Sequence, residues 1–265
     1  MTTQPIEWTT RDLESARKVL ALSFEESEDL PTLTDEEIVA LDGIEREQFV
    51  ALPFLEKHED QKYLAATVAL RSLMSKGLAF PVVEEGYNEP TRLNATERVT
   101  GIMTLRRTAS RIVTGQRTSQ VGRHWLFAYI HDDIVLEEEV NDGGIHAFVV
   151  YPTSRLAERL AVLADPENSA SVDGEPVILP QSEFEAQGAP LLAESRAVTV
   201  FTGASGGAET FTNLTVYTAP STVKTLLAAE HEGSVTFSIT EVSPASLRSS
   251  LQSVVDDPSE STQIG

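Results

Sequence analysis

The chain contains no cysteine, and that absence alone excludes several kinds of protein. It rules out disulfides, thiol nucleophiles, iron–sulfur clusters and cysteine-ligated zinc sites. Long apolar runs are also lacking, since the longest, such as Trp125 to Ile130, fall far short of the ~18 residues that a membrane-spanning helix needs. Residues 1–8 carry no signal-peptide pattern. We therefore expect a cytoplasmic protein with no membrane partner.

Basic residues are scarce as well. The 265 residues include 20 Lys and Arg against 41 Asp and Glu, which gives a formal net charge of −21. A field of this sign repels phosphate backbones, so we expect no nucleic-acid partner. Hydrophobic residues make up 41% of the chain. A chain of this length can bury a substantial core, as one large domain or as two of ordinary size.

The first 95 residues are predicted to be helical, because apolar residues recur there at spacings of three and four. Thr34 and Glu37 form a T-x-x-E capping box, which predicts a helix that begins near Asp35. Other helices are predicted over about 12–22, 46–56 and 60–76, with Pro53 as a kink or boundary in the second of them. The last of these carries apolar residues along one side, namely Tyr63, Ala66, Leu70, Leu73 and Met74.

The order of these helices, followed by an extended segment over 80–83, is similar to that of a winged helix. The usual function of a winged helix is DNA binding. Residues 1–95 carry 9 basic and 19 acidic side chains, whereas a helix that reads a DNA groove needs a basic face. An acidic regulator built on a winged-helix-like module is therefore only the third functional hypothesis.

Beyond residue 105 the pattern changes to short β-rich runs, and this part of the chain contains an internal repeat. Residues 124–148 align with residues 213–237 without a gap, which pairs Phe148 with Phe237 and predicts equivalent buried positions for these two side chains. After one position of slippage, residues 112–115 (Ile-Val-Thr-Gly) align with residues 200–203 (Val-Phe-Thr-Gly). Later in each copy, Leu156, Leu160 and Leu163 correspond to Leu247, Leu251 and Val254.

Each copy is predicted to form four antiparallel strands followed by one amphipathic helix. Residues 223–230 alone would pass for a helix, but their alignment with residues 134–141 favours a strand. The predicted fold class is therefore α+β, with an N-terminal helical segment followed by two pseudo-repeated units of antiparallel strands plus one helix. The predicted segments are a helical segment (1–95), a first repeat (96–166), a linker rich in Pro, Ser, Gly and acids (167–196), a second repeat (197–258) and a disordered tail (259–265).

Two motifs contain residue types that carry chemistry. Residues 203–207 match the G-x-S-x-G pattern of hydrolases, but that motif needs a strand followed at once by a helix, and residues 208–217 are predicted as loop and strand. The metal-ligand types in His131-Asp132-Asp133, with His124 and His146 nearby, are interpreted as turn and strand-face residues. No catalytic, cofactor-binding or metal-binding residue is assigned. A hydrolase or metal-dependent enzyme in an unfamiliar α+β fold is the alternative function.

Two runs of like charge stand out. Residues 98–130 hold six arginines and no acidic residue. These arginines either bind the acidic helical segment of the same chain or form a docking site for an anionic ligand or acidic partner. The candidate partner-binding residues are Arg106, Arg107, Arg111, Arg117 and Arg123. The second run, Glu137 to Glu139 in a predicted strand, is interpreted as a solvated face or edge, or as a docking strip for a basic partner.

Residues 223–230 and 234–240 form a predicted strand pair, which is followed by Val242-Ser243-Pro244-Ala245-Ser246-Leu247 and Leu251. Together with the chain length and residues 69–78 (ALRSLMSKGL), these features resemble the EspG family of cytosolic, type VII secretion-associated chaperones of actinobacteria. The resemblance implies a pseudo-twofold α+β fold. It also implies that the protein binds PE–PPE type secretion substrates and keeps them soluble before export.

The internal repeat, the acidic surface and the lack of a recognisable catalytic motif together favour protein recognition over small-molecule chemistry. We expect a non-enzymatic, cytosolic protein-binding chaperone or adaptor for helical secretion substrates. The sheet and its adjoining loops are expected to hold the helical client. No cofactor is predicted.

Overall fold

The computed structural model describes residues 7–24, 30–84, 86–205, 211–231 and 233–256. The chain forms two compact units. Unit 1 contains Met1–Ala109 and Ile134–Tyr151, and unit 2 contains Ser110–Asp133 and Pro152–Gly265. Within the described ranges, every helix is too short or too polar to span a lipid bilayer.

Helices and antiparallel strands are combined in this chain, which confirms the predicted α+β class. In the described part of the chain the α-helices are α1 (Thr10–Ala21), α2 (Asp35–Asp42), α3 (Pro53–Lys57), α4 (Lys62–Ser75), α5 (Glu97–Thr108), α6 (Leu156–Ala164), α7 (Gln181–Glu183), α8 (Ala189–Leu192) and α9 (Pro244–Val255). The strands are β1 (Leu33–Thr34), β2 (Ala79–Val82), β3 (Arg92–Ala95), β4 (Arg111–Ser119), β5 (Gly122–His131), β6 (Ile134–Asn141), β7 (Ile145–Pro152), β8 (Val177–Pro180), β9 (Ala197–Ser205), β10 (Phe211–Thr218), β11 (Val223–His231) and β12 (Ser234–Glu241). Four strands followed by one helix occur twice, as β4 to β7 with α6 and as β9 to β12 with α9.

In unit 1, α2 begins at the predicted capping box. The side-chain oxygen of Thr34 accepts a hydrogen bond from the Glu37 amide at 3.3 Å, and Glu37 Oε2 accepts one from the Thr34 amide at 3.2 Å. This reciprocal pair satisfies two amides that the helix itself leaves free. Helix α2 packs against α4, and Val39, Leu55 and Ala66 form a buried cluster in this part of the unit.

Helix α3 is much shorter than predicted. The predicted helix over 46–56 is wrong for most of its length, because α3 includes only Pro53–Lys57. Proline has no amide hydrogen and is best tolerated in a first helical turn, so Pro53 begins this helix. The first free amides of α3 bind a distant carboxylate: Asp35 Oδ2 accepts hydrogen bonds from the amides of Phe54 at 2.8 Å and Leu55 at 3.1 Å. A side chain of α2 therefore sets where α3 starts.

Helix α4 lies within the predicted range of 60–76, and its predicted apolar side is buried only in part. Its buried residues are Ala66, Ala69 and Leu73. Tyr63 and Met74, which belong to the predicted apolar side, are 62% and 42% exposed. The two alanines are small, so a neighbouring helix can approach along their side. Of the large apolar residues on the predicted side, Leu73 is buried, while Tyr63 and Met74 remain at the surface.

Helices α1 and α5 form a close pair in unit 1, and α5 is not predicted by the sequence analysis, which assigns residues 96–108 to the strand-rich first repeat. A Cβ atom at Gly101 of α5 would lie 2.5 Å from the carbonyl oxygen of Ser15 and 2.6 Å from Cγ2 of Val19. Only glycine fits at such a crossing without moving a backbone. Gly101 thus sets the distance between the two helices.

In unit 2, seven strands lie in the order β5-β4-β9-β10-β11-β12-β8, each antiparallel to its neighbours. The prediction that residues 223–230 form a strand is confirmed by β11. The first strands of the two repeats, β4 and β9, pair directly, with Thr114 opposite Thr202. These two threonines also correspond in the sequence repeat. A local twofold axis therefore passes between them.

The two repeat helices of unit 2, α6 and α9, pack against each other and against the sheet. A Cβ atom at Gly115 would lie 2.7 Å from Cδ2 of Leu163, and one at Gly203 would lie 2.6 Å from the carbonyl oxygen of Val254. The two glycines correspond in the repeat, and so do Leu163 and Val254. Each helix is therefore seated against the equivalent glycine of its own repeat.

The repeats differ in their last strands and in the segment between them. Phe148 is buried, but Phe237 is only half-buried, and its ring centroid lies 4.6 Å from that of Phe184. The expectation that both phenylalanines are buried holds for Phe148 alone. The predicted linker over 167–196 contains β8, which pairs with β12, and the short helices α7 and α8. The predicted tail over 259–265 lies outside the described residues, and the predicted segment boundaries stay predictions.

Leu160 and Leu251 are equivalent in the repeat, and both are fully buried. The variants Leu160→Ala and Leu251→Ala are each expected to lower the free energy of unfolding by about 2–5 kcal/mol, because each leaves a cavity beneath a repeat helix. The matched control is Val162→Ala at an exposed position of α6, with an expected change below about 0.5 kcal/mol. Urea denaturation measures all three. A loss at only one of the two leucines would contradict equivalent roles for α6 and α9.

Candidate functional site

Two of the five candidate arginines, Arg106 and Arg107, lie in the last turn of α5 and bind carboxylates within unit 1. Arg107 forms a forked pair with Asp42, from Nε to Oδ1 at 3.2 Å and from Nη2 to Oδ2 at 2.7 Å. The buried Arg106 donates from Nε to Glu138 Oε2 at 2.8 Å, and its Nη1 lies 3.5 Å from Asp42 Oδ2. These two guanidinium groups balance buried acids of their own unit.

Two further candidates, Arg111 and Arg117, lie on β4 of unit 2 and bind the C-terminal ends of the two repeat helices. Arg111 Nη2 donates to the carbonyl oxygens of Val254 at 2.8 Å and Asp256 at 2.5 Å. Arg117 Nη1 donates to the carbonyl oxygen of Ala164 at 2.6 Å. The last carbonyls of a helix lack intrahelical partners and carry partial negative charge, so a cation stabilises them. The two arginines anchor α9 and α6 to the sheet.

A row of buried charged side chains lies inside unit 1. His146 of β7 lies between two carboxylates, with Nδ1 2.6 Å from Glu138 Oε1 and Nε2 2.8 Å from Asp35 Oδ1. Because Glu138 also binds Arg106 and Arg106 lies beside Asp42, negative and positive side chains alternate along this row. The side chains of His146, Asp35 and Glu138 are completely buried. They form an internal framework rather than a surface site.

The interpretation of Glu137 to Glu139 as a solvated strip is wrong for two of its three residues. Glu137 and Glu138 are both 0% exposed. Glu137 Oε2 accepts a hydrogen bond from the hydroxyl of Tyr151 at 2.5 Å, and Glu138 is balanced by Arg106 and His146. Burial of two adjacent acids is tolerated because each has a hydrogen-bonding partner.

The row of buried charged side chains sets the protonation state of His146. Burial alone would lower the pKa of His146, but its hydrogen bonds to Asp35 and Glu138 outweigh burial and raise that pKa above its ordinary value. For Glu138, burial would raise the pKa, but the charges of Arg106 and His146 lower it to about 2. His146 is therefore held as an imidazolium that donates from both ring nitrogens.

The motifs considered for chemistry do not form a site in the described residues. Asp132 and Asp133 form the turn after β5, with a φ of 53° at Asp132. No group of three or more His, Asp and Glu side chains in the described ranges is arranged to hold a metal ion. Ser205 ends β9, and Gly206 and Gly207 of the G-x-S-x-G pattern lie outside the described residues. The described part of that pattern is a strand, not the strand-to-helix turn of a nucleophile elbow.

The sheet of unit 2 has a second face, opposite α6 and α9. Side chains alternate between the two faces along a strand, so the buried Phe201 and Leu214 point to the helices, and Val200 and Thr215 point the other way. On this second face Val200 is 45% exposed and Phe211 is 63% exposed. We call its central part the open face, which consists of Gln116, Thr118, Val198, Val200, Thr202, Phe211, Asn213, Thr215, Tyr217, Leu226 and Ala228.

Helices α7 and α8 border the open face on the side of β11 and β12. The ring of Phe184, which follows α7, contacts Phe237, and Nζ of Lys224 donates to the carbonyl oxygen of Leu191 in α8 at 2.8 Å. A cavity of about 220 Å³ lies at this border, where Leu191, Tyr217 and Lys224 line it. The open face thus continues into a recess large enough for a side chain.

The fifth candidate arginine, Arg123, lies at the opposite border of the open face. It is opposite Thr118 in the pairing of β4 with β5, and its guanidinium carbon lies 4.9 Å from the ring centroid of Trp125. The ring stabilises the cation and fixes its direction. The open face is therefore apolar and hydroxyl-rich at its centre, with a cationic side chain at each of two borders.

The side chains of the open face are of the types that bind another molecule through apolar contacts and hydrogen bonds. Its valines and aromatic rings offer apolar area, while its threonine, asparagine and glutamine side chains offer hydrogen bonds, as between Thr202 Oγ1 and Asn213 Oδ1 at 2.8 Å. The sequence predicts that the sheet and its adjoining loops hold a client, but it does not identify which face of the sheet is exposed. The signal in the sequence is the alternation of apolar and hydroxyl residues in β9 and β10, which identifies two faces without showing which of them is covered.

No protein-family model matches the chain, and no curated protein matches it in sequence. Its fold, however, is similar to that of a type VII secretion system chaperone. The solved structure of EspG5 from Mycobacterium tuberculosis, in complex with a PE25–PPE41 dimer, matches 71% of this chain and 84% of that chain. The TM-score is 0.51 and the sequence identity is 10%. The similarity shows a shared fold.

The imidazolium of His146 predicts how stability depends on pH. Folding raises the pKa of His146. The contribution of His146 to the free energy of unfolding is therefore complete below the unfolded pKa of about 6.5 and is lost as pH rises through the folded pKa. The pKa of Glu138 is lowered to about 2, so its contribution is lost as pH falls from about 4 towards that value. Urea denaturation across this range should therefore show highest stability between about pH 4.5 and 6.5. The variant His146→Gln should weaken the alkaline decline, and an unchanged decline would contradict this assignment.

Removal of the guanidinium of Arg106 should destabilise unit 1. In the variant Arg106→Met, Glu138 and Asp42 lose a buried partner, and the free energy of unfolding is expected to fall by about 3–5 kcal/mol. Arg123→Met, at a partly exposed site on the border of the open face, is the control, with an expected loss of about 1 kcal/mol or less. Chemical denaturation compares the two. Equal stability of both variants would show that the Arg106 pairs do not support the fold.

Proposed function

We propose that the protein is a non-enzymatic, cytoplasmic chaperone or adaptor that binds a helical protein client on the open face of unit 2. The observation that carries this proposal is a sheet surface on which Val200 and Phe211 are exposed among the described residues, with a recess at α8 on its border. Exposed apolar area of this kind marks interaction sites on folded proteins. Apolar side chains of a client helix gain stability when they leave water on such a surface.

The dimensions of the open face suit a helix. Neighbouring strands lie about 4.8 Å apart, so the four strands β4, β9, β10 and β11 present a surface about 15 Å wide. A helix with its side chains is about 10 Å in diameter. One helix therefore covers the centre of the face, and a bulky side chain of that helix can enter the recess beside Tyr217 and Lys224.

The finer identity of the client rests on the shared fold. EspG5 is a type VII secretion chaperone whose solved structure holds a PE25–PPE41 dimer, which supports a PE–PPE type secretion substrate as the client here. Among the candidate arginines, we assign Arg123 to the client interface, since it borders the open face. We assign Arg106, Arg107, Arg111 and Arg117 to the internal contacts described above.

Affinity capture from the native host tests this function. The tagged full chain should capture a helical secretion substrate, and Val200→Glu and Phe211→Glu should each reduce that capture at least about tenfold, because burial of a charge in an apolar contact is costly. Val162→Glu, on the exposed side of α6, is the matched control and should capture as the wild type does. If both open-face variants capture the same proteins as the control, the open face is not the site. If the wild type captures no helical protein, the chaperone function itself is overturned.

A further inference from the structure

A second apolar surface lies on unit 1, along the exposed side of α4. Tyr63 is 62% exposed, Leu64 65%, Val68 53% and Met74 42%. The opposite side of the same helix is buried through Ala66, Ala69 and Leu73. These four large apolar side chains therefore do not contribute to the core that α4 helps to form. Their alignment along one helix side calls for an explanation other than chance exposure.

The exposed side follows the spacing of a helix–helix seam. Positions 60, 64, 67, 71 and 74 alternate steps of four and three residues, which is the pattern of side chains that meet a partner helix in a coiled coil. All five are exposed: Asp60 in the 3-10 turn before α4, then Leu64, Thr67, Arg71 and Met74. The hydroxyl of Thr67 donates to the carbonyl oxygen of Tyr63 at 2.9 Å. Since that hydroxyl bonds within its own helix, Thr67 can offer its methyl group to a partner.

The charges of this seam match those of a second copy turned end to end. Asp60 stands at its N-terminal end and Arg71 stands eleven positions later, about 16 Å along a helix axis. In an antiparallel pair of two α4 helices about a twofold axis, Asp60 of one copy lies opposite Arg71 of the other. In the same register Leu64 of one copy lies opposite Thr67 of the other, so its side chain packs against the threonine methyl group. Tyr63 and Val68 lie along the two edges of this seam and add apolar area beside it.

We propose that the exposed side of α4 binds a second copy of this chain, as an antiparallel, twofold-related helix pair. A twofold interface must be complementary to itself, and the seam from Asp60 to Arg71 meets that condition in sign and spacing. The antiparallel arrangement also places the positive end of each helix dipole beside the negative end of the other. This surface lies on unit 1, whereas the proposed client site lies on unit 2.

The net charge of the chain limits the strength of this contact. Each copy carries −21, so two copies repel each other as a whole. The two Asp60–Arg71 pairs and the apolar layers between them must offset that repulsion. The expected result is a reversible monomer–dimer equilibrium that depends on protein concentration.

Sedimentation velocity over a concentration series of the untagged full chain tests the proposal. The wild type is expected to shift from monomer to dimer as concentration rises. Leu64→Glu and Val68→Glu should each weaken the dimer at least about tenfold without changing the melting temperature, because both side chains are exposed in the monomer. The control Val162→Glu, equally exposed but on α6, adds the same charge and should dimerise as the wild type does. A wild type that stays monomeric throughout, or a dimer insensitive to both α4 variants, overturns the proposal.

Charge reversal distinguishes a second copy from any other helical partner. Asp60→Arg alone and Arg71→Asp alone should each weaken the dimer, since each places like charges opposite one another. The double variant Asp60→Arg with Arg71→Asp restores opposite charges in both pairs and should recover the dimer. Failure of the double variant to recover it would exclude the antiparallel register.

The lack of cysteine offers a second readout. A pyrene label on Thr67→Cys modifies one position of the chain only, because the chain contains no other thiol. Position 67 lies near the proposed twofold axis, so the two labels should give excimer fluorescence that rises with concentration. The same label on Val162→Cys should give none. Excimer fluorescence of equal strength from both positions would show non-specific association and contradict the proposed interface.

Discussion

Unit 1 depends on the imidazolium of His146, which is held between the carboxylates of Asp35 and Glu138. Removal of any one of these buried charges leaves another without its partner, which is far more costly than the pair is stabilising. Asp35 also binds the first amides of α3, and Gly144 leaves room for it, since a Cβ atom there would lie 2.7 Å from the carboxyl carbon. One carboxylate thus positions two helices and a strand of unit 1, the unit that also carries the seam on α4.

Helices and strands were predicted best from capping motifs and from the alignment of the two repeat copies. The capping box at Thr34 acts within one helical turn, so it predicts the start of α2 from sequence alone. The repeat assigned β11 as a strand against its local helical pattern, because the aligned residues of the first copy are strand-like. Pro53 is predicted as a kink or boundary, but its place as the first residue of α3 and the close pairing of α5 with α1 were missed, since these depend on Asp35 and on the contact of Gly101 with Ser15, which are distant in the chain.

The candidate sites were harder to predict for the same reason. An arginine run and a glutamate run resemble surface strips in sequence, yet Arg106 and Glu138 are buried against each other across 32 positions. Exposure of the open face was equally hidden, because Val200 and Phe201 are adjacent hydrophobic residues, and only the packing of α6 and α9 decides which one is covered. Composition identified charge and apolar content correctly, but the partners of each group are set by tertiary contacts.

The pairing of Thr114 with Thr202 bears on the ancestry of the chain. Two equivalent strands that pair about a twofold axis are what two identical subunits would form, so the pairing of β4 with β9 is the arrangement expected of a duplicated and fused gene. Fusion makes the association of the halves intramolecular and independent of concentration. After fusion the two copies can also differ in sequence. Gly203 lies opposite Val113, while its counterpart Gly115 lies opposite the larger Phe201. The two copies therefore differ in sequence even beside the twofold axis. Each copy can change independently while the shared sheet keeps their strands in register.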